Sequence, residues 1–299
     1  MTGRASGAGI AVIGHRGARG LFPENTLEGF RSAWALGVRS FELDVGLTRD
    51  GLAVVAHDPA LHPDLTRDRT GRWLEEPSPL LYALSAAELS AYDVGRIRPG
   101  SRTAAQFPAQ RPRDGARVPS LAAVLAAVPD ARLIIEIKTN PLHPDRTAPP
   151  ARIADSVLGA VQAAGAAGRV VLESFDWRVQ KYIRSVCPDI RLAYLTSADA
   201  PADPWWAGVT PAQHGGSTPA CVAAAGGAGT VWAPLHSDLA EADVRAAHAL
   251  SLAVIPWTVN QRDDMCRLIG WGVDGLISDY PDALATTVAG SPADHHADG

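Results

Sequence analysis

Ser40-Phe41-Glu42-Leu43-Asp44-Val45 and Leu133-Ile134-Ile135-Glu136-Ile137-Lys138 are apolar runs of strand length that carry charges toward their C-terminal ends. Short runs rich in Val, Ile, Leu and Phe suit strands buried on both faces, as in a parallel sheet covered by helices. Side chains alternate along a strand, so Glu42 and Asp44 share one face, and Glu136 and Lys138 share another. A charge inside such a strand needs a partner or a metal. The C-terminal ends of the strands are also where barrel enzymes place their active sites.

Six further runs have the same character: Ile10 to Gly14, Val170 to Phe175, Arg191 to Thr196, Thr230 to Leu235, Ala253 to Val259 and Gly275 to Tyr280. Segments of helical spacing lie between them. Thr26 can cap a helix carrying Leu27, Phe30 and Trp34, with Gly37 as its stop. Val179, Tyr182, Ile183 and Val186 repeat the pattern ahead of Pro188. Ser237 or Asp238 is placed to cap a helix with Leu239, Val244, Ala247 and Leu250, and Met265, Leu268 and Ile269 mark another. Eight strands alternating with helices predict an α/β fold, a (β/α)8 TIM-type barrel. A doubly wound open sheet is the alternative, since alternation alone does not show closure.

One stretch breaks the rhythm. Ala53 to His57 reads as a short extra strand, and residues 58–119 are rich in Pro, Arg and Asp, with helical character only over Leu84 to Tyr92. That is too long for an ordinary connection and predicts an inserted subdomain within a single barrel domain spanning 1–299. The tail from Ser291 to Gly299 reads as disordered.

Composition narrows the function. Hydrophobic residues are 46% and charged residues 20%, which fits a folded globular chain. The net charge of -5 argues against nonspecific attraction to nucleic acid or to anionic membranes. No apolar run is long enough to span a bilayer, so no stable membrane insertion is expected. Cys187, Cys221 and Cys266 are odd in number and far apart, which points away from a disulfide framework and toward a reducing, cytoplasmic setting. The short apolar patch Ala8 to Ile13 is interrupted by Gly9 and makes a poor signal peptide.

Four fragments carry the chemistry: Gly14-His15-Arg16-Gly17, Phe41-Glu42-Leu43-Asp44, Ala56-His57-Asp58 and Ile134 to Lys138. Three carboxylates converging from two strands suit one hard divalent cation, Mg²⁺ or Ca²⁺. Zinc is disfavoured because these fragments hold no cysteine. His15 and His57 are groups suited to proton transfer near neutrality. Arg16 and Lys138 can hold an anion, Arg as a fork and Lys as a point charge. Metal, cations and paired histidines together suggest phosphoryl chemistry. Glu173, at a strand end, is placed to approach the cation, but is read first as supporting that site indirectly or belonging to a loop. His295 and His296 are read as a solvated pair, and His62, His143 and His214 have no evident partner.

The sequence resembles the glycerophosphodiester phosphodiesterases from Ile13 to about Pro281. The likeness rests on His15-Arg16-Gly17-Ala18, Pro23-Glu24-Asn25-Thr26, Glu42-Leu43-Asp44, His57-Asp58, Val118-Pro119-Ser120-Leu121, Glu136-Ile137-Lys138, Ser174-Phe175-Asp176, Trp257-Thr258-Val259-Asn260 and Gly272 to Pro281, in that order. It implies a barrel with an insertion after the second strand and a divalent cation on Glu42, Asp44 and Glu136. It also implies His15 and His57 as the acid/base pair, Arg16 and Lys138 on phosphate, Trp257 against glycerol, and Glu24 with Asn25 organising the first loop. The reaction implied is metal-dependent hydrolysis of a glycerophosphodiester to sn-glycerol 3-phosphate and an alcohol, through a cyclic phosphate. In that scheme His57 is the first base and His15 the first acid. Ser251 departs from the resemblance, standing where glycine is common before the seventh strand. Two alternatives remain open: a phospholipase-like phosphodiesterase acting on lysophospholipids, and a noncatalytic ligand-binding barrel.

Overall fold

The computed structural model describes residues 9–290. The tail expected to be disordered therefore lies outside the described residues. The strands are β1 (Ala11–Gly14), β2 (Ser40–Leu47), β3 (Ala53–Val55), β4 (Arg132–Ile137), β5 (Val170–Ser174), β6 (Arg191–Thr196), β7 (Val231–Pro234), β8 (Ala253–Val254) and β9 (Gly275–Ser278). Eight of them run parallel in the order β8-β7-β6-β5-β4-β2-β1-β9, and β3 adds antiparallel to β2. The gap between β8 and β9 is spanned by N–H donation from Asp274 to the Val254 carbonyl at 2.9 Å and from Ile277 to that of Pro256 at 3.1 Å. The sheet is thus a barrel rather than the open alternative.

The run expected as strand through Val259 is regular only over Ala253–Val254. Pro256 has no N–H to give to a ladder. The chain nevertheless stays on β7, with Ile255 N–H on the Trp232 carbonyl at 2.9 Å and Trp257 N–H on that of Pro234 at 3.1 Å.

Helices cover the outside. Thr26 caps Leu27–Ala35 by accepting from the Gly29 N–H at 3.0 Å, and Gly37 follows with a left-handed φ of 94°. Trp177–Val186 buries Val179 and Ile183 against the barrel but leaves Val186 exposed in its last turn. Ser237 and Asp238 lie in a 3-10 turn and cap nothing. The helix Glu241–Ala249 starts instead after Ala240, whose N–H goes to Asp243 Oδ2 at 3.0 Å, and Leu250 just past its end is exposed. Among the described residues, no helix is long and apolar enough to cross a membrane.

Inside the barrel, the interior face is layered. Ile13, Ile134 and Ile277 form an apolar floor with Val171 and Ile255 against it. Two residues further along each of these segments stand His15, Glu136, Asp279, Glu173 and Trp257. Strand alternation puts each pair on one face, so the functional layer sits directly above the floor at the C-terminal ends.

Residues 58–119 have a small core of their own, with Leu61, Leu81 and Leu89 packed on Val54 of β3. α-Helix there is limited to Ala86–Leu89, capped by Ser85, and to Arg102–Gln106, which periodicity did not anticipate, with a 3-10 turn at Leu81–Ala83. The segment clasps the loop after β1. Arg111 N–H bonds the Leu21 carbonyl at 2.8 Å, Gln110 bonds that of Arg19 at 2.6 Å, and the Arg19 guanidinium lies 4.8 Å over the Phe107 ring.

Candidate active site

β2 and β4 are in register with Asp44 beside Glu136, and their alternation turns Glu42, Asp44 and Glu136 inward together. All three are buried, and one oxygen from each lies within 4.8 Å of the others. Lys138, just past β4, places Nζ 2.7 Å from Glu136 Oε2 and 3.0 Å from Asp44 Oδ1. Arg16 approaches from the loop after β1. Its backbone N–H donates to Glu42 Oε2 at 3.0 Å, Nη1 bonds Glu24 at 2.8 Å, and Nε is 3.3 Å from Asp44. Asn25 donates to Asp44 Oδ2 at 2.9 Å. Glu24 and Asn25 therefore organise this loop, and Glu24 acts by holding Arg16.

Burial governs the electrostatics. Loss of water, then the neighbouring Asp44, Glu173 and Glu136, pushes the Glu42 carboxyl well above the usual carboxylate range. Burial raises Glu136 as well, with Lys138 opposing. Burial also works against ionisation of Asp44, yet Lys138 and Arg16 hold it well below the usual range. Lys138 stays charged because Asp44 and Glu136 outweigh its own desolvation.

This donor set fits a divalent cation. Every ligand is an oxygen, and two more acceptors beside the cluster, Asn25 Oδ1 and Glu173 Oε2, are buried without a hydrogen-bond partner. A hard cation gathers such oxygens. Glu173 lies within β5 opposite Glu136, and burial together with Glu136 raises its carboxyl well above the usual range. It is therefore a strand residue and not a loop residue, and it lines the same cavity as Glu42 and Glu136.

His15 and His57 both face this cavity, with Arg16, Lys138 and Trp257 around them. His15 Nδ1 is 2.6 Å from Asp279 Oδ1, and Nε2 is 3.6 Å from Glu42. Burial lowers His15 to about 4 against the pull of Asp279. His57 pairs Nδ1 with Asp58 at 2.7 Å and is more open to solvent. Each imidazole thus has a carboxylate on Nδ1, which fixes the tautomer and leaves Nε2 free for proton transfer. The Trp257 indole donates to the Ala233 carbonyl at 3.0 Å and meets Phe175 edge-on at 5.5 Å, forming an apolar wall. His62 accepts from the Asp64 N–H at 3.0 Å, a local turn contact.

Sequence reading missed the role of Asp279. It accepts from His15, from Arg19 Nε at 2.7 Å and from Asn260 Nδ2 at 2.7 Å, and against the pull of burial His15 and Arg19 hold its carboxyl below the usual range. The signal was available, because Asp279 is a charge at the end of an apolar run, as Glu42 and Asp44 are.

A parallel barrel that gathers buried carboxylates, two cations and two Asp-paired histidines at its C-terminal face defines a barrel enzyme for an anionic substrate. Comparison with known proteins gives the family. The model of the glycerophosphoryl diester phosphodiesterase family matches residues 15–283, and the chain belongs to that family. A glycerophosphodiester phosphodiesterase of Caldanaerobacter subterraneus subsp. tengcongensis is 26% identical over 93% of this chain and 97% of its own. A glycerophosphoryl diester phosphodiesterase structure from Silicibacter pomeroyi DSS-3 is 36% identical, with TM-score 0.85 over 96% of this chain and 95% of its own. An Oleispira antarctica phosphodiesterase, solved with sn-glycerol-3-phosphate, is 20% identical with TM-score 0.68 over 94% of this chain and 97% of its own, a likeness of fold. The chain is accordingly an enzyme, a glycerophosphodiester phosphodiesterase.

Proposed function

We propose that this chain performs metal-dependent hydrolysis of glycerophosphodiesters to sn-glycerol 3-phosphate and an alcohol, by histidine acid/base catalysis through a cyclic phosphate. The observation that carries the reading is the meeting of the buried Glu42, Asp44 and Glu136 group with two Asp-paired histidines in one cavity. Glu42, Asp44 and Glu136 would hold one divalent cation, Mg²⁺ or Ca²⁺, which when bound supplies charge neutralisation at the phosphodiester oxygens. Arg16 and Lys138 add fixed positive charge for the same phosphate, preorganised by Glu24, Asp44 and Glu136.

His57 Nε2, with Asp58 behind it, takes the proton of the glycerol 2-hydroxyl as that oxygen attacks phosphorus. His15 Nε2 gives a proton to the departing alcohol, and the two exchange roles when water opens the ring. Free of ligand, His15 is neutral at pH 7; an anionic diester beside Nε2 favours its protonation. Trp257 and Phe175 supply an apolar face for the glycerol carbons. Residues 58–119 form an inserted subdomain that shapes the alcohol side of the site, since Leu61, His62 and Leu65 adjoin His57 in a shared pocket. The cysteines Cys187, Cys221 and Cys266 are all free thiols, which supports a cytoplasmic setting.

The test is release of glycerol 3-phosphate from glycerophosphocholine and glycerophosphoethanolamine with Mg²⁺, with Ca²⁺ or with EDTA. Release should need the cation, and His57→Ala should lower kcat by about 10²-fold or more. Undiminished activity in His57→Ala would remove its assigned role. The aromatic wall of Phe175 and Trp257 favours a lysophospholipid as second reading, so lysophosphatidylcholine belongs in the same assay. Turnover of it alone would replace the first reading.

A further inference from the structure

A second cavity lies on the helical layer outside the barrel, between Trp177–Val186, the turn after Ala202 and the end of the helix Thr218–Gly226. Its volume is about 450 Å³, against about 140 Å³ for the active-site cavity. Aromatic rings form its floor. Trp206 stacks on Trp177 with centroids 4.6 Å apart and planes 7° from parallel, and Tyr194 meets Trp177 edge-on at 4.9 Å. Its rim is cationic and polar, because Lys181, Arg184 and Ser185 stand one turn apart on the same helix face. Among the described residues no carboxylate forms an ion pair with Lys181 or Arg184. Arg184 is held in place by the carbonyls of Ala225 and Gly226 at the end of the neighbouring helix.

Two further observations point to a ligand. Trp206 is only 5% exposed, and its indole N–H is buried without an acceptor. A buried donor of this kind is a standing penalty, and an acceptor that enters the cavity as the Trp206 ring turns toward it removes that penalty. Ala207 follows with a left-handed φ of 52°, a strain that surrounding structure retains most often at ligand sites.

We propose that this cavity binds an aromatic organic anion, its ring against Trp206 and Val209 and its acidic group toward Lys181 and Arg184. Charge complementarity selects the anion, the indole N–H supplies a donor, and the aromatic floor selects a flat apolar body. The site is separate from the one assigned to phosphodiester hydrolysis and does not rest on that reading. Ring contacts link the two regions, since Trp205, the residue before Trp206, meets Phe175 edge-on at 6.4 Å, and Phe175 meets Trp257.

The probe is 8-anilinonaphthalene-1-sulfonate, titrated into the full chain while its fluorescence is followed. Saturable binding at one site is expected, weakened at least tenfold by Lys181→Glu and severalfold by Trp206→Phe, which keeps the ring stack and deletes the N–H. Ser185→Trp, an exposed position on the rim, should close the cavity and abolish binding. An excess of glycerol 3-phosphate should displace nothing. Absence of saturable binding, equal binding in Lys181→Glu and Ser185→Trp, or displacement by glycerol 3-phosphate would each overturn the proposal. Both rim substitutions lie on exposed helical positions, so the result stands even if Trp206→Phe fails to fold.

Discussion

Asp279 shows how one carboxylate can set the state of a neighbouring imidazole. It accepts from His15, Arg19 and Asn260, so its charge is fully used and its geometry is fixed from three sides. With Asp279 ionised, His15 keeps its proton on Nδ1 and turns a bare Nε2 to the cavity. Asp279→Asn retains the shape but can offer an N–H to Nδ1, which stabilises the other tautomer. The expected outcome is a fall in kcat of about 10²-fold or more with KM little changed. A fall confined to KM would show that Asp279 serves binding and not proton transfer. The same variant carries a stability signature. The folded Asp279 has a depressed pKa, so its contribution is present above the ordinary carboxylate value and lost as pH falls below it. The stability gap between wild type and Asp279→Asn in urea titrations should therefore be wide at neutral pH and shrink below about pH 4. Two other residues at this scale, Arg16 and Asn25, sit at left-handed φ values of 51° and 54°. Both are tied down by Glu42, Glu24 and Asp44, which is how a site keeps strain that an open loop would release.

At the scale of elements, what was legible in the sequence is what has a period. β2 and β4 are read from apolar runs because both their faces are buried, and Thr26 with Gly37 marks both ends of one helix because caps answer to local chemistry. The failures are equally local. Val186 and Leu250 fit the helical period but fall at helix ends, where the last turn rises off the barrel into solvent. Residues 58–119 were opaque because their order rests on long-range contacts with no period, such as Arg67 bridging Asp93 and Asp114. Asp279 had the pattern of a site residue and lacked only the partner, His15, which lies 264 positions away. Ser251, expected to stand where a glycine is common, adopts a φ of 60°, between the helix Glu241–Ala249 and β8. A left-handed L-residue costs about 1–2 kcal/mol, and glycine returns about 0.5–1 of this through its freer unfolded chain. Ser251→Gly should thus stabilise the protein by about 0.5 kcal/mol in urea denaturation. A loss of stability would show that the serine side chain does something the backbone does not require.

For the molecule as a whole, the central question is why a barrel tolerates Glu42, Asp44, Glu136 and Glu173 buried around the fixed cations Arg16 and Lys138. Burial first, and the neighbouring carboxylates after it, favour the protonated forms, so Glu42, Glu136 and Glu173 are all raised. A carboxyl whose folded pKa lies above its unfolded value stabilises the fold below the unfolded value, and that contribution is lost as pH rises through the folded one. The metal-free protein therefore pays increasingly for this cluster as the solution becomes more alkaline. His15 has the opposite slope: its folded pKa of about 4 lies below its ordinary 6.5, so stability is lost as pH falls between the two. A divalent cation on Glu42, Asp44 and Glu136 would take the place of the protons, and its binding would be correspondingly weaker where they are held more tightly. The expected outcome is that Mg²⁺ or Ca²⁺ raises Tm over an EDTA-treated sample, by more at about pH 8 than at about pH 5.5. His15 contributes its slope with and without the ion, so the difference between paired melts reports mainly on the carboxylates. Asp44→Asn should abolish the shift at both pH values, because it removes the one member of the triad that Lys138 and Arg16 keep ionised throughout. A shift of equal size at both pH values, or one that survives Asp44→Asn, would place the cation somewhere other than on these three side chains.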